Sequence, residues 1–170
     1  MQNLKTILLL EDAVADQLYI KRVLFKADIF ADIITCDAKE VFIQNLNFLN
    51  PDVVLLDYHV PGFDSNEALQ ITKLHNKDIP VIYVTGAIPK ELAAETIINE
   101  AEAYVTKESL DELPLVLQSI WLHSLVNREA DKMNQLGSRL NKLDAKIAKL
   151  MTNNKVYSEM IKNAIRSDSI

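Results

Sequence analysis

Short apolar runs alternate along the chain with longer segments in which apolar residues recur at helical spacing. Lys5–Leu10 is wholly apolar from Ile7 onward. Asp52–Leu56 (Asp-Val-Val-Leu-Leu) and Pro80–Thr85 (Pro-Val-Ile-Tyr-Val-Thr) have the same character. Runs this short, bounded by polar or turn residues, predict strands buried on both faces. Ile29–Cys36 and Ala103–Thr106 complete the set of five strand candidates. Between them, Ala13–Ala27, Ala38–Leu49, Asn66–His75 and Lys90–Glu100 carry helical patterns, and a last helix starts near Leu110. Strands alternating with helices predict βαβ crossovers. The expected fold is therefore α/β, a doubly wound five-stranded parallel sheet of order 2-1-3-4-5. Its ligand site lies beyond the carboxyl ends of the strands, where the strand order reverses.

The last helix has no stop signal where the domain should end. Gly137 is the lone glycine after Gly86, and one glycine costs a helix only about 1 kcal/mol. From Met133 the apolar residues fall at Leu136, Leu140, Leu143, Ile147 and Leu150, in alternating steps of three and four. That is the a/d seam of a heptad repeat. It projects forward to Asn154, Tyr157, Ile161 and Ala164, and back to Glu129, Val126 and Leu122. So narrow a stripe suits another helix better than a globular surface. The expected organisation is a domain at residues 1–124 followed by a helical coiled-coil extension at 125–170. The extension would form a parallel homodimer through residues 126–164. With Met133 at position a, Arg139 (g) faces Asp144 (e) of the second helix, and Asn154 takes an a position that fixes register. A folded-back hairpin turning near Asn153 and Asn154 is the alternative.

Composition refines this picture. The chain has 170 residues, 49% hydrophobic and 25% charged, which reads as soluble and globular. Its net charge of −6 is unevenly spread: residues 1–124 carry 9 basic and 19 acidic side chains, residues 125–170 carry 9 and 5. Acidic residues interleave the basic ones in the tail, so a solvated helix face explains it better than a nucleic-acid arm. No helix-turn-helix pattern follows to support DNA binding. Cys36 is the only cysteine, which precludes an intrachain disulfide and fits a reducing compartment. The apolar run Ile7–Leu10 stops at Glu11, too short for a signal peptide or a membrane span. A cytoplasmic location is expected, with no membrane partner.

The candidate chemistry sits at strand ends. Glu11 and Asp12 end the first strand and Asp57 ends the third, which are neighbours in a sheet of this winding. Three crowded carboxylates call for a cation. Their oxygens suit Mg²⁺, which keeps waters and adds phosphate oxygens. Thr85 supplies a hydroxyl after the fourth strand, and Lys107 an ammonium after the fifth. This set suits phosphoryl transfer onto a carboxylate, which is catalysed mainly by positioning and charge neutralisation. Asp57 is the expected nucleophile. Each residue alone has an ordinary explanation as a cap, a turn residue or a solvated lysine, but their coincidence at successive strand ends does not.

Four segments carry a family resemblance: Leu-Leu-Leu-Glu-Asp at 8–12, Val-Val-Leu-Leu-Asp-Tyr-His-Val-Pro-Gly at 53–62, Val-Thr-Gly-Ala at 84–87 and Ala-Tyr-Val-Thr-Lys at 103–107. Residues 4–124 resemble a response-regulator receiver domain of two-component signalling, of the kind found in front of sensor, kinase or cyclase modules. The resemblance implies a flavodoxin-like fold with Asp57 as phosphoacceptor. Glu11, Asp12 and Asp57 would be the metal ligands, joined by the main-chain carbonyl of His59. Thr85 and Lys107 would bind the phosphoryl group, and Tyr104 would be the switch aromatic that turns inward as Thr85 moves. In one departure, Glu108 follows Lys107 where the family usually has proline, which leaves the loop geometry there open. His123 lacks the sequence pattern of a kinase phosphorylation site.

The expected function is a phosphoacceptor in a phosphorelay. It would be loaded by a histidine kinase or phosphotransfer protein and would signal through the dimeric helix. Its chemistry would be limited to slow self-phosphorylation and dephosphorylation, so it is not expected to be an enzyme. The alternative is the receiver-plus-linker part of a larger histidine kinase or diguanylate cyclase.

Overall fold

The structure, a computed structural model, describes residues 4–86 and 101–167, with side chains as far as Thr152. The strands and helices follow the predicted order. They are β1 (Thr6–Leu10), α1 (Val14–Lys26), β2 (Asp32–Cys36), α2 (Lys39–Leu49), β3 (Val53–Leu56), β4 (His59–Val60), β5 (Phe63–Asp64), α3 (Ser65–His75), β6 (Val81–Thr85) and β7 (Ala103–Thr106). A 3₁₀ turn (Lys107–Glu112) then leads into α4 (Leu113–Ser167). The helix predicted at Lys90–Glu100 lies outside the described residues.

The main sheet is fully parallel with order β2-β1-β3-β6-β7. This is the predicted 2-1-3-4-5 winding, renumbered because a two-stranded antiparallel ribbon, β4-β5, follows β3. The turn of that ribbon is Pro61-Gly62. Gly62 has φ +77°, a conformation that side-chain-bearing residues adopt only at a cost.

Alternate residues of the central strands feed two cores, as period-2 geometry requires. Leu8, Leu10, Val54, Leu56 and Tyr83 pack with Phe42 and Leu46 of α2 and with Ala68 and Leu69 of α3. Ile7, Leu9, Val53, Leu55, Ile82 and Val84 pack with Ile20 and Leu24 of α1 and with Leu113 and Leu117 of α4. Burial of each Leu, Ile or Val side chain contributes roughly 1.5–3 kcal/mol. Wrapping the sheet on both sides leaves its strand ends free to carry chemistry.

β2 departs from the expectation of strands buried on both faces. Only Cys36 in it is buried, and Asp32 is exposed. It is an edge strand, covered on fewer sides than β1 or β3. Burial pushes the Cys36 thiol up to about 12, with the nearby Asp37 charge adding to the effect. The thiol is a core group rather than a nucleophile.

The chain divides into two compact units, Met1–Val126 and Asn127–Ile170. In the first, the opening turns of α4 bury Leu113 and Leu117, and Pro114 sits in the first turn, where its missing N–H costs nothing. The described residues of the second unit form a single helical segment that ends at Ser167. In it Met133, Leu136, Leu140, Leu143, Ile147 and Leu150 are each more than half exposed. The backbone is helical through Asn153 and Asn154, so the turn that a folded-back hairpin needs there is absent. Among the described residues, no helix is long and apolar enough to cross a membrane.

Candidate functional site

Strand register brings the acids together. Leu10 pairs with Leu56, so the next residues, Glu11 and Asp57, emerge side by side from neighbouring strands. Two backbone bonds fix them there: Asp57 N–H donates to Leu10 O (2.8 Å) and Glu11 N–H donates to Cys36 O (2.9 Å). Glu11 is fully buried, Asp57 is 5% exposed and Asp12 is exposed. One carboxylate oxygen from each of the three lies within 4.8 Å of the others.

Lys107 reaches the same place from the opposite side. Thr106 pairs with Thr85 at the ends of β7 and β6, and Lys107 is the next residue. Its Nζ lies 3.0 Å from Asp57 Oδ2, 2.8 Å from Glu11 Oε2 and 2.5 Å from Asp16 Oδ2. Thr85 is buried at the end of β6. Tyr104 is 43% exposed on β7, two residues before Thr106. The His59 N–H donates to Asp57 Oδ1 (3.3 Å) from the first residue of the β4-β5 ribbon, and its side chain is exposed. Where the family usually has proline, Glu108 continues the 3₁₀ turn that starts at Lys107.

Charge and burial pull in opposite directions here. Burial, helped by the Asp57 charge, raises the Glu11 pKa above the usual carboxylate value. Lys107 and the Ala13 N–H oppose that rise without cancelling it. Burial alone would lower the Lys107 pKa, but its close contacts with the Asp16, Glu11 and Asp57 carboxylates outweigh it, so the ammonium is held charged.

The donor set fits a hard divalent cation. It consists of carboxylates, which suit Mg²⁺. Glu11 Oε1 accepts the Ala13 N–H (3.0 Å), whereas the buried Oε2 meets Lys107 through charge without a well-directed hydrogen bond. Three carboxylates, Glu11, Asp16 and Asp57, face the one Lys107 ammonium and Asp12 stands beside two of them, an imbalance that a bound cation would relieve.

Asp16 was not singled out from the sequence. It sits in the first turn of α1, where an acid is ordinarily read as favourable to the helix dipole. Its only sequence signal is its place one turn after Asp12.

This is a doubly wound α/β domain whose polar groups gather at the switch point of its sheet. Residues 7–118 match the response regulator receiver domain family, and the chain belongs to that family, whose members are signalling domains of two-component systems rather than enzymes in the usual sense. The chain is similar to Regulatory protein AtoC of Escherichia coli (strain K12), 34% identical over 88 residues. That match takes in 51% of this chain and 19% of AtoC, so the chain spans about a fifth of its relative's length. Its fold is similar to the signal receiver domain of a LuxO repressor protein from Vibrio parahaemolyticus, with TM-score 0.66 and 20% identity over 74% of this chain and 96% of that one. It is also similar to the Mn²⁺-bound form of response regulator Rcp1, with TM-score 0.57 and 28% identity over 69% of this chain and 94% of that one.

Proposed function

We propose that this chain is the phosphoacceptor of a two-component phosphorelay, with Asp57 taking a phosphoryl group from a histidine kinase or phosphotransfer protein. One observation carries the reading: the Asp57 carboxylate is almost buried, stands among acids within 4.8 Å and lies 3.0 Å from the Lys107 ammonium. An Asp57 oxygen attacks phosphorus, the donor's phosphorus–nitrogen bond breaks, and the imidazole leaves with its nitrogen reprotonated. Lys107 pairs with one phosphoryl oxygen and Thr85 donates its hydroxyl to another. Glu11, Asp12 and Asp57, with the main-chain carbonyl of His59, would hold Mg²⁺. When bound, the ion supplies positive charge for the remaining phosphoryl oxygen. The Mn²⁺ recorded for Rcp1 supports a divalent site in a relative.

The test is the intact mass of the chain after incubation with acetyl phosphate. One phosphoryl group should be gained with Mg²⁺ and none after chelation. Uptake that ignores the cation, or no uptake at all, would overturn the reading.

Thr85 and Tyr104 form the proposed switch. Drawing the Thr85 hydroxyl toward the phosphoryl oxygens opens space that Tyr104 fills, a two-state element biased by local charge. Beryllofluoride with Mg²⁺ should therefore lower the exposure of Tyr104, read by its ring resonances or by solvent quenching. Identical signals in both states would exclude this pair as the relay. The output side of the proposal is the seam of α4, which pairs with a second copy of the chain as a parallel coiled coil and carries the signal through a dimeric helix.

A further inference from the structure

The Lys107 ammonium has three carboxylate neighbours, of which two, Glu11 and Asp57, belong to the cluster suited to a cation. Asp16 does not belong to that cluster, yet it makes the shortest contact with Lys107, at 2.5 Å. Its position is built in at the start of α1. Gln17 Nε2 donates to the Glu11 carbonyl (2.7 Å), and the Ala13 N–H donates to the Glu11 side chain (3.0 Å). The first turn of α1 is thereby tied to the end of β1, so Asp16 is placed relative to Glu11 rather than on a free surface. Its side chain is about one-third exposed and that of Lys107 one-fifth.

We propose that Asp16 is a positioning residue that anchors Lys107 beside Asp57 when the cation and the phosphoryl group engage the other carboxylates. An ammonium has three donors and no acceptor. Once Glu11 and Asp57 turn their oxygens to a cation, Lys107 loses two of its three partners. A long, flexible lysine with nothing else to hold it would swing out to water. Asp16 keeps one N–H occupied, which leaves the other two aimed at the incoming phosphoryl oxygens. Asp16 touches neither phosphorus nor cation in this role and acts only through Lys107.

The inference rests on the reading of Asp57 as phosphoacceptor, and one assay separates the two. Rates of phosphoryl uptake from acetyl phosphate are measured at saturating Mg²⁺ for wild type, Asp16→Ala, Asp16→Asn, Asp16→Glu, Lys107→Ala and the double variant Asp16→Ala with Lys107→Ala. Asp16→Ala should slow uptake about tenfold, Asp16→Asn should fall between it and wild type, and Asp16→Glu should restore part of the rate. Lys107→Ala should be slower still, and adding Asp16→Ala to it should change nothing, the signature of two residues acting as one unit. Purely structural damage would instead add to the Lys107→Ala defect. Simple field repulsion of the anionic donor would make Asp16→Ala faster than wild type. Either result overturns the inference while leaving the phosphoacceptor reading intact. A wild-type chain that takes up no phosphoryl group overturns both.

Discussion

Replacing Asp57 by asparagine should abolish phosphoryl uptake while leaving the fold in place. Asparagine keeps the shape and can still accept the His59 N–H, which now donates to Asp57 Oδ1 at 3.3 Å. It has no anionic oxygen to attack phosphorus, and it removes the charge from one of the three carboxylates that a cation would use. The uptake rate should fall by at least about a thousandfold, equivalent to roughly 4 kcal/mol of barrier. A second effect tests the same assignment without chemistry. A cation that binds only the folded chain stabilises it by about 2.7 kcal/mol at a hundred times its dissociation constant. Wild type should gain that stability with Mg²⁺ in thermal unfolding, and Asp57→Asn should gain little. In the absence of Mg²⁺ the variant should be no less stable than wild type, because losing the Asp57 charge relieves its crowding with Glu11 while Lys107 keeps its contacts with Glu11 and Asp16. A variant phosphorylated at the wild-type rate, or stabilised equally by Mg²⁺, would remove Asp57 from its assigned place.

The parts of this molecule that were legible in the sequence are those where one local pattern has one physical outcome. Val-Val-Leu-Leu before Asp57 is too apolar and too short to be anything but an interior strand, and its pairing with β1 follows from the winding. That pairing alone puts Glu11 next to Asp57. The Lys107 side chain could likewise be placed at the site because it follows the last strand. The hidden features arise from tertiary closeness or from small energy differences. Asp16 and Lys107 are separated by 91 positions, and no pattern within α1 marks its first turn as facing the 3₁₀ turn after β7. The β4-β5 ribbon has two residues per strand, too few for any periodicity. The predicted winding already put β2 at the edge, but its partial exposure depends on what packs over it, while its own residues, with Ile33 and Ile34, read as core. The 3₁₀ turn at Lys107–Glu112 lies where helix and turn propensities compete, and only the burial of Leu110 beneath it decides between them.

Leu140→Asp and Leu143→Asp should each convert a dimeric chain into a monomer with a functional receiver unit. Six seam residues from Met133 to Leu150 stand more than half exposed on a helix that continues to Ser167. Pairing two such helices removes that apolar surface from water at roughly 25 cal/mol per Å². Aspartate at Leu140 or Leu143 would place an unpaired charge in the seam, facing its counterpart on the second helix, at a cost of several kcal/mol. Lys142→Asp makes a charge change of opposite face: position c points away from the seam, and the dimer should survive it. Direction can be read from charge. In a parallel pair Arg139 faces Asp144 of the second copy, so Arg139→Asp should weaken association and adding Asp144→Arg should restore it. Each exposed pair is worth only about 0.2–1 kcal/mol, so the effect will be a few-fold change in dissociation constant. Light scattering gives the mass, and phosphoryl uptake from acetyl phosphate gives the integrity of the receiver unit. Wild type that remains monomeric at tens of micromolar would defeat the dimer. Wild type that dimerises but gains affinity from Arg139→Asp would defeat the parallel arrangement. An intact dimer in both leucine variants would place the contact somewhere other than this seam.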